Sequence, residues 1–565
     1  MKTSLKNRDA PKHRDGNYLF PVAVAIFVAG LLVRLPLTTQ SLWYDEMYTL
    51  RQYIHQPIAR TLVGQSPADY SPNNHVLHHL LARLSNEAGI LLGQASPPQA
   101  FDNARENLPL VGEPFLRLPS ALAGSLAGIV LAWPLRRARP VLALLVALLM
   151  ALHPWMIALS TEARGYALML LLGIVATNRL PDRCRAVAPD YVLATGAMLW
   201  TVPVSITLIA GHAVAMGFAR RELLGTWLRS ALLACVGAAL LYAPFYQGIW
   251  LYYTSPLQAS GSFLDFVGSL LGHAHAGQRA GDLPALILPI LLVIAGSVVA
   301  WRRNLLRPAL ASFGAAAALG ILLALMFGAA GEVRFAPWII ALYVVGAVGL
   351  VGLGGDWAMG KSPHPSPLPE YRERGQKVRE SGHNARERGK ECGEREASRS
   401  PAMRWAGLAA LGVLVATQVI NIVALYRTPA QPVRDALAWV EQADPRLPVI
   451  GVYTASLEAA YTYGGLSNIA YGVTPADPAR PAGAGEKPHL DEEERSLGAL
   501  RPWAVVFYPD LVQRRAPELW MYIQSNYELR KKLDGRVSGV QVYRRRTSLP
   551  AATTRTTSAP TLTPP

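Results

Sequence analysis

The chain has 565 residues, is 51% hydrophobic, and carries a mean hydropathy of +0.21 and a formal net charge of +16. That composition excludes a string of ordinary soluble domains and points to a polytopic membrane protein. The basic residues are dispersed among short segments between apolar runs, which excludes a nucleic-acid-binding face; Cys184, Cys235 and Cys392 imply no disulfide framework and have no zinc spacing.

A basic tail, 1–17, holds Lys2, Lys6, Arg8, Lys12 and Arg14 and leads into an apolar run near 18–36. Such a run can cross a hydrocarbon core of roughly 30 Å as a helix, and it is too long for a signal-peptide core, so it is expected to remain as an anchor. Further spans are expected near 118–135, 140–159, 165–178, 188–203, 204–219, 229–247, 283–300, 308–328, 336–354 and 404–425, giving about eleven in all. Arginines at 136/137/139, 179/183/185, 220/221/229 and 302/303/307 mark alternate short turns as cytoplasmic. The N-terminus is therefore expected inside. An odd count puts the 37–117 loop and the C-terminal region on the periplasmic side of a bacterial inner membrane.

In that first outer loop, Ser41-Leu42-Trp43-Tyr44-Asp45-Glu46 sets two carboxylates just beyond the first span. Neighbours on a helix diverge by about 100°, so one can act as a base while the other binds. A positioned carboxylate that accepts a hydroxyl proton contributes roughly 10²–10⁴-fold to a rate. The same pair also suits the N-terminal cap of an interfacial helix. Farther along, Val76, Leu77, Leu80, Leu81 and Leu84 form a stripe opposite His75, His79 and Arg83, as in a helix lying in the interface plane. His75 and His79, four apart, have the spacing to hold a divalent metal with Glu46, although contact with solvent or a lipid phosphate is the commoner use of interfacial histidines.

His153-Pro154 opens a segment that runs through Ser160-Thr161-Glu162-Ala163-Arg164-Gly165-Tyr166, a very short hairpin between two spans. Charge is costly in hydrocarbon, so Glu162 and Arg164 imply a wet cleft, mutual pairing or a ligand phosphate, or else an arginine snorkelling to headgroups. Glu332-Val333-Arg334-Phe335 opens the tenth span on the same side, where a headgroup anchor is the simpler role. An outer loop at 251–282 holds Phe263, Phe266, His273 and His275 in a Gly-rich stretch that reads as a lid or as a plain solvated loop.

Residues 355–403 are expected to be a disordered cytoplasmic insertion, since 361–400 has ten Lys/Arg, seven Glu and almost nothing to bury. After the last span, 426–546 suggests alternating helices and strands, hence a small α/β domain outside the membrane, and 547–565 is too polar to fold.

Taken in order, Arg34 with Ser41-Leu42-Trp43-Tyr44-Asp45-Glu46, Asn73-Asn74-His75-Val76-Leu77, Leu116-Arg117-Leu118-Pro119-Ser120, Ser160-Thr161-Glu162-Ala163-Arg164-Gly165-Tyr166-Ala167 and Val333-Arg334-Phe335-Ala336-Pro337 resemble the GT-C class of membrane glycosyltransferases. The resemblance is to bacterial relatives of protein O-mannosyltransferases and lipid A aminoarabinose transferases (glycosyltransferase family 39-like), and it covers roughly 30–345. It implies a mainly α, GT-C-like module over 18–354. It implies sugar transfer from a polyprenyl-phosphate carrier to an envelope acceptor, with Asp45 as base and Glu46 orienting the acceptor or a cation. Arg164 and Arg334, with Glu162 and Tyr166, would meet the carrier phosphate and lipid, and His75, His79 and Arg117 would serve the acceptor or its loop. No cofactor is required by this reading, and a divalent metal is compatible with it. Many relatives carry His-Pro-Pro where this chain has Asn73-Asn74-His75-Val76, so the acceptor pocket is expected to differ. A flippase or transporter, or an O-antigen polymerase or ligase, is the competing class; the chain shows no internal repeat of the transporter kind.

Overall fold

The structure, a computed structural model, describes residues 19–63, 75–102, 109–184, 186–246, 263–276, 284–326, 336–351, 401–444, 449–452, 459, 461–463, 468–470, 502–515 and 517–546. These form two compact units. Both Asn73 and Asn74, Glu332 to Phe335 with Arg334, and the 361–400 insertion lie outside the described residues.

The first unit is a helical bundle. Its elements include α1 (Leu19–Thr38), α6 (Glu113–Ala132), α7 (Pro140–Ala151), α8 (Pro154–Ser160), α9 (Tyr166–Asn178), α10 (Pro189–Thr201), α11 (Ile206–Ala219), α12 (Leu224–Tyr242), α13 (Phe263–Ala276), α14 (Pro284–Arg302), α15 (Arg307–Met326), α16 (Ile339–Val351) and α17 (Pro401–Arg427). Shorter α3 (Ile58–Val63) and the 16-residue α4 (Val76–Leu91) belong to the same unit.

Each expected apolar span coincides with a helix or a helix pair, but not every one is long enough to cross a bilayer. Among the described residues five stretches qualify by length and composition, namely Phe20–Thr38, Glu113–Leu135, Arg221–Phe245, Arg307–Ala324 and Trp405–Arg427, and the bent pair α7–α8 raises the number to six. Tyr166–Asn178, Pro203–Ala219, Leu286–Arg302 and Ile339–Val351 are shorter apolar helices, and the 13-residue α10 falls in neither group. Thirteen residues rise only about 20 Å at 1.5 Å each, short of a hydrocarbon core. Apolarity alone therefore also marked helices that, like α9 and α16, are packed mostly inside the bundle.

Outer faces and crossings explain the rest of the packing. On α12, Leu228, Leu232, Val236 and Leu240 are exposed while Trp227, Ala231, Ala234 and Ala238 are buried, the arrangement expected where lipid replaces water. Helices α14 and α16 cross at glycines: a Cβ on Gly296 would stand 1.9 Å from the Gly346 carbonyl oxygen and one on Gly349 2.0 Å from that of Gly296. Only residues without side chains allow backbones so near one another. Elsewhere in the core Trp338 stacks on Phe313 at 6.0 Å and donates its indole N–H to Thr207 at 3.0 Å.

The expected loop position of His273 and His275 is corrected, because both sit on the last turn of α13. The Nδ1 of His273 lies 2.7 Å from the Ser269 carbonyl, while that of His275 lies 2.8 Å from the Tyr343 hydroxyl on α16. Phe266 and Leu270 give α13 an apolar face to bury, which draws the flanking histidines into the bundle in place of solvent.

The second unit is the α/β element expected at the C-terminus. A five-stranded sheet of β1 (Val449–Val452), β2 (Asn468–Ala470), β3 (Trp503–Phe507), β4 (Tyr527–Leu533) and β5 (Val540–Arg545) has the order β2-β1-β3-β5-β4. Strands β2 and β3 run parallel to β1, whereas β5 is antiparallel to β3 and β4. Central β3 is buried throughout and helices α19 (Pro509–Arg515) and α20 (Pro517–Asn526) cover a core of Val452, Ala504, Val506, Val512, Leu519, Ile523, Tyr527 and Tyr543. Edge strand β4 exposes Glu528, Arg530, Lys531 and Lys532 and is bulged at Leu529/Lys531, a pattern that discourages further strand pairing. Amphipathic α18 (Val433–Ala443) buries Val433, Ala436 and Val440.

Two segments from the first outer loop fold with this unit. They are residues 40–51, which contain α2 (Tyr44–Thr49), and 94–111, which contain α5 (Pro98–Asp102).

Candidate active site

Residues 161–165 form the turn between α8 and α9, and the way it is held follows from a proline. Pro154 has no N–H, so the helix breaks after Ala151 and resumes at a 56° bend. The break leaves backbone carbonyls without helical donors. Arg34, at the end of α1 and fully buried, supplies one of them: its Nη1 donates to the Ala151 oxygen at 2.9 Å and to its own helix at Gly30 at 2.7 Å. The Nη2 reaches the Gly124 oxygen at 3.5 Å, and Nε donates to the Ser160 hydroxyl at 2.6 Å. All four acceptors are neutral, so Arg34 is a clamp on the α8 end of the turn. Gly124 makes room for it, since a Cβ there would lie 2.4 Å from the Ser160 Cβ and 3.1 Å from the Arg34 Nε.

Within the turn Thr161, Glu162 and Ala163 are buried and Arg164 is half-buried, with its guanidinium 5.6 Å from the centre of the Tyr166 ring. A cation over an aromatic face is attracted by the electron density of the ring. Helix α4 supplies the opposite wall. His75 meets Tyr166 edge-to-face at 5.0 Å, and His79 stacks on Tyr53 at 4.9 Å. Gly165 permits this approach, because a Cβ on it would stand 2.9 Å from the His75 Nδ1.

The histidine face of α4 is the buried one, with His75, Val76, His78, His79, Ala82 and Asn86 turned inward and Leu84, Leu91 and Leu92 exposed. Burial, with smaller contributions from His78 and Arg164, holds His79 well below the usual histidine range. Sequence reasoning singled out His75 and His79 but passed over His78, which shares their face; the i, i+3, i+4 spacing of the three was the available signal.

Arg117 is nearly fully buried on α6, where its Nη1 donates to the carbonyls of Thr38 at 3.0 Å and Leu37 at 3.4 Å. A cation on the last carbonyls of α1 is a favourable C-terminal cap.

In the second unit, α2 presents the acidic pair. Glu46, 1% exposed, turns its Oε2 back to accept the Trp43 N–H at 3.2 Å, the reciprocal half of a capping box. Asp45 is half-buried one position earlier. The segment is tied down by the Ser41 hydroxyl donating to the Gln431 carbonyl at 2.6 Å, by the Tyr44 N–H donating to the Gln431 side chain at 3.2 Å, and by the Leu42 N–H donating to the Tyr463 hydroxyl at 2.5 Å. Tyr44 also meets Tyr508 edge-to-face at 6.2 Å. After α2 the chain continues in a π-helical turn, Leu50–Ile54. Among the described residues no three His, Cys, Asp or Glu side chains are grouped to hold a metal ion.

No family model matches the chain, and no curated protein matches it. It is similar to the crystal structure of ArnT from Cupriavidus metallidurans bound to undecaprenyl phosphate, at 17% identity and a TM-score of 0.46 over 93% of this chain and 98% of that one. The apo state of the same protein gives 16%, 0.47, 92% and 97%. The arabinofuranosyltransferase AftD from Mycobacteria gives 16% and 0.42 over 93% of this chain and 40% of that one. At such identities and with TM-scores below 0.5, no residue assignment here rests on them.

Proposed function

We propose that the chain is an integral-membrane glycosyltransferase that moves a sugar from a polyprenyl-phosphate carrier to an acceptor hydroxyl on the periplasmic face. The observation that carries this reading is the turn at 161–165, an arginine-bearing hairpin clamped between apolar helices, with Arg164 set against Tyr166 and a wall of histidines. An anionic headgroup whose tail lies in the bilayer is the ligand class such a turn suits. The undecaprenyl phosphate in the ArnT structure is of that class.

In the proposed reaction the acceptor oxygen attacks the anomeric carbon with inversion, the carbon–oxygen bond to phosphate breaks, and the electron pair leaves with the carrier phosphate. Asp45 takes the acceptor proton. The guanidiniums of Arg164 and Arg334 stabilise the charge that grows on the leaving phosphate, an effect strengthened where water is excluded. Glu46 acts by shaping α2. A cytoplasmic N-terminus and a periplasmic C-terminal unit complete the proposed arrangement.

The test is mass spectrometry of envelope glycans from cells with the intact gene, a deletion, and D45N or R164A. The reading expects one sugar to disappear in the deletion and to stay missing in both variants, although each inserts normally. Full restoration by D45N removes Asp45 as the base. A carrier-linked sugar accumulating on one leaflet of the deletion strain would instead mark a transporter.

A further inference from the structure

Ser120, on α6, connects α4 to the turn at 161–165. Its hydroxyl donates to the Arg164 carbonyl at 2.8 Å, and the His78 Nε2 lies 2.9 Å from the Ser120 Oγ. A serine hydroxyl has one proton. With that proton directed at the carbonyl, Ser120 accepts from the imidazole, so Nε2 carries the hydrogen and Nδ1 is the bare nitrogen. His78 and Ser120 are both fully buried, which keeps water from substituting for either partner. Burial first, and the nearby Arg164 charge second, push His78 down to about 3, so the imidazole is neutral and this tautomer is constant at physiological pH. The seat is close as well as bonded: a Cβ on Gly165 would stand 3.3 Å from the Cβ of His78.

The turn is thus held at both ends by different means. Arg34 grips Ser160 on one side, while His78 acts through Ser120 on the backbone of Arg164 on the other. The second grip bears directly on the residue proposed to meet phosphate, because the orientation of the 164 peptide sets where the Arg164 side chain begins.

We propose that His78 is a positioning residue for the carrier-phosphate site, fixing the Arg164 backbone through Ser120 and thereby setting affinity for the phosphate-linked donor. This rests on the carrier-phosphate role proposed for Arg164.

The full chain in lipid nanodiscs, titrated with a polyprenyl monophosphate, provides the test. H78L and S120A are each expected to weaken binding about tenfold, the effect of one well-formed buried hydrogen bond, and to raise the donor KM while leaving the acceptor KM and kcat unchanged. H78Q, whose side-chain amide can donate to Ser120, is expected to restore most of the affinity. Wild-type binding by both H78L and S120A overturns the proposal, as does an H78Q variant no better than H78L, or a change confined to the acceptor KM. R164A separates the two levels. If R164A itself binds the monophosphate normally, the carrier-phosphate reading fails; if R164A loses binding while H78L and S120A keep it, only the positioning role fails.

Discussion

The two charged regions are secured in opposite ways. The turn at 161–165 is held from outside itself: Arg34 from α1, Ser120 from α6 and His78 from α4 contact it, leaving the Arg164 guanidinium only half-buried over Tyr166. In the acidic segment one of the charged residues does the holding, since Glu46 caps α2 while Ser41, Leu42 and Tyr44 bond to residues some four hundred positions later. Glu46 thus has a structural task in the helix cap, which separates the roles of two adjacent acids that look equivalent in sequence. Asp45, its neighbour, is the proposed base.

The widest separation is expected from Asp45. D45N should reduce sugar transfer by about 10²–10⁴-fold, with the melting temperature and membrane insertion unchanged, measured as carrier-dependent transfer by purified protein. An equal loss from E46Q would erase the distinction, because a glutamine oxygen can still accept the Trp43 N–H.

Next is the clamp on the turn. G124A places a methyl group where Ser160 and Arg34 already stand, and overpacking of this kind costs about 1–3 kcal/mol. The thermal transition of the helical bundle should fall, while a probe in the C-terminal unit such as Trp503 should be unaffected.

A smaller effect is expected for E46A, which removes the cap from α2 at a cost of about 0.5–2 kcal/mol. E46Q should retain most of the stability, and hydrogen exchange at the Trp43 and Tyr44 amides reads the difference. Smallest is S41A, which deletes one hydrogen bond to Gln431 worth about 0.5–1.5 kcal/mol and should increase exchange only locally.

These contrasts also show what could be read from the chain. Helices were legible wherever apolar residues ran between arginine-marked turns, and Pro154, Gly165 and Tyr166 announced the hairpin locally. Crossing length was not, because a core-facing helix such as α16 is as apolar as a spanning one. Strands β3 and β5 follow apolar segments, whereas β4, with Glu528 and the run Arg530-Lys531-Lys532, has no such pattern and exists because β5 pairs with it. Within the site, Glu162, Arg164 and Tyr166 share a turn because they are neighbours. The attachment of Ser41 to Gln431 and of Arg34 to Ser160 spans 390 and 126 residues, and no local signal encodes such pairings. His78 escaped notice because its role depends on Ser120, a small polar residue on a different helix.

The clamp at Arg34 also bears on how the protein is made. Its side chain leaves the ribosome well before Gly124, Ala151 and Ser160, which follow at 90, 117 and 126 residues' distance. During that interval the guanidinium has only its own helix and the lipid headgroups to satisfy it, and it is drawn inward when the later helices dock. Helix α1 is therefore made before the helices that lock it in place.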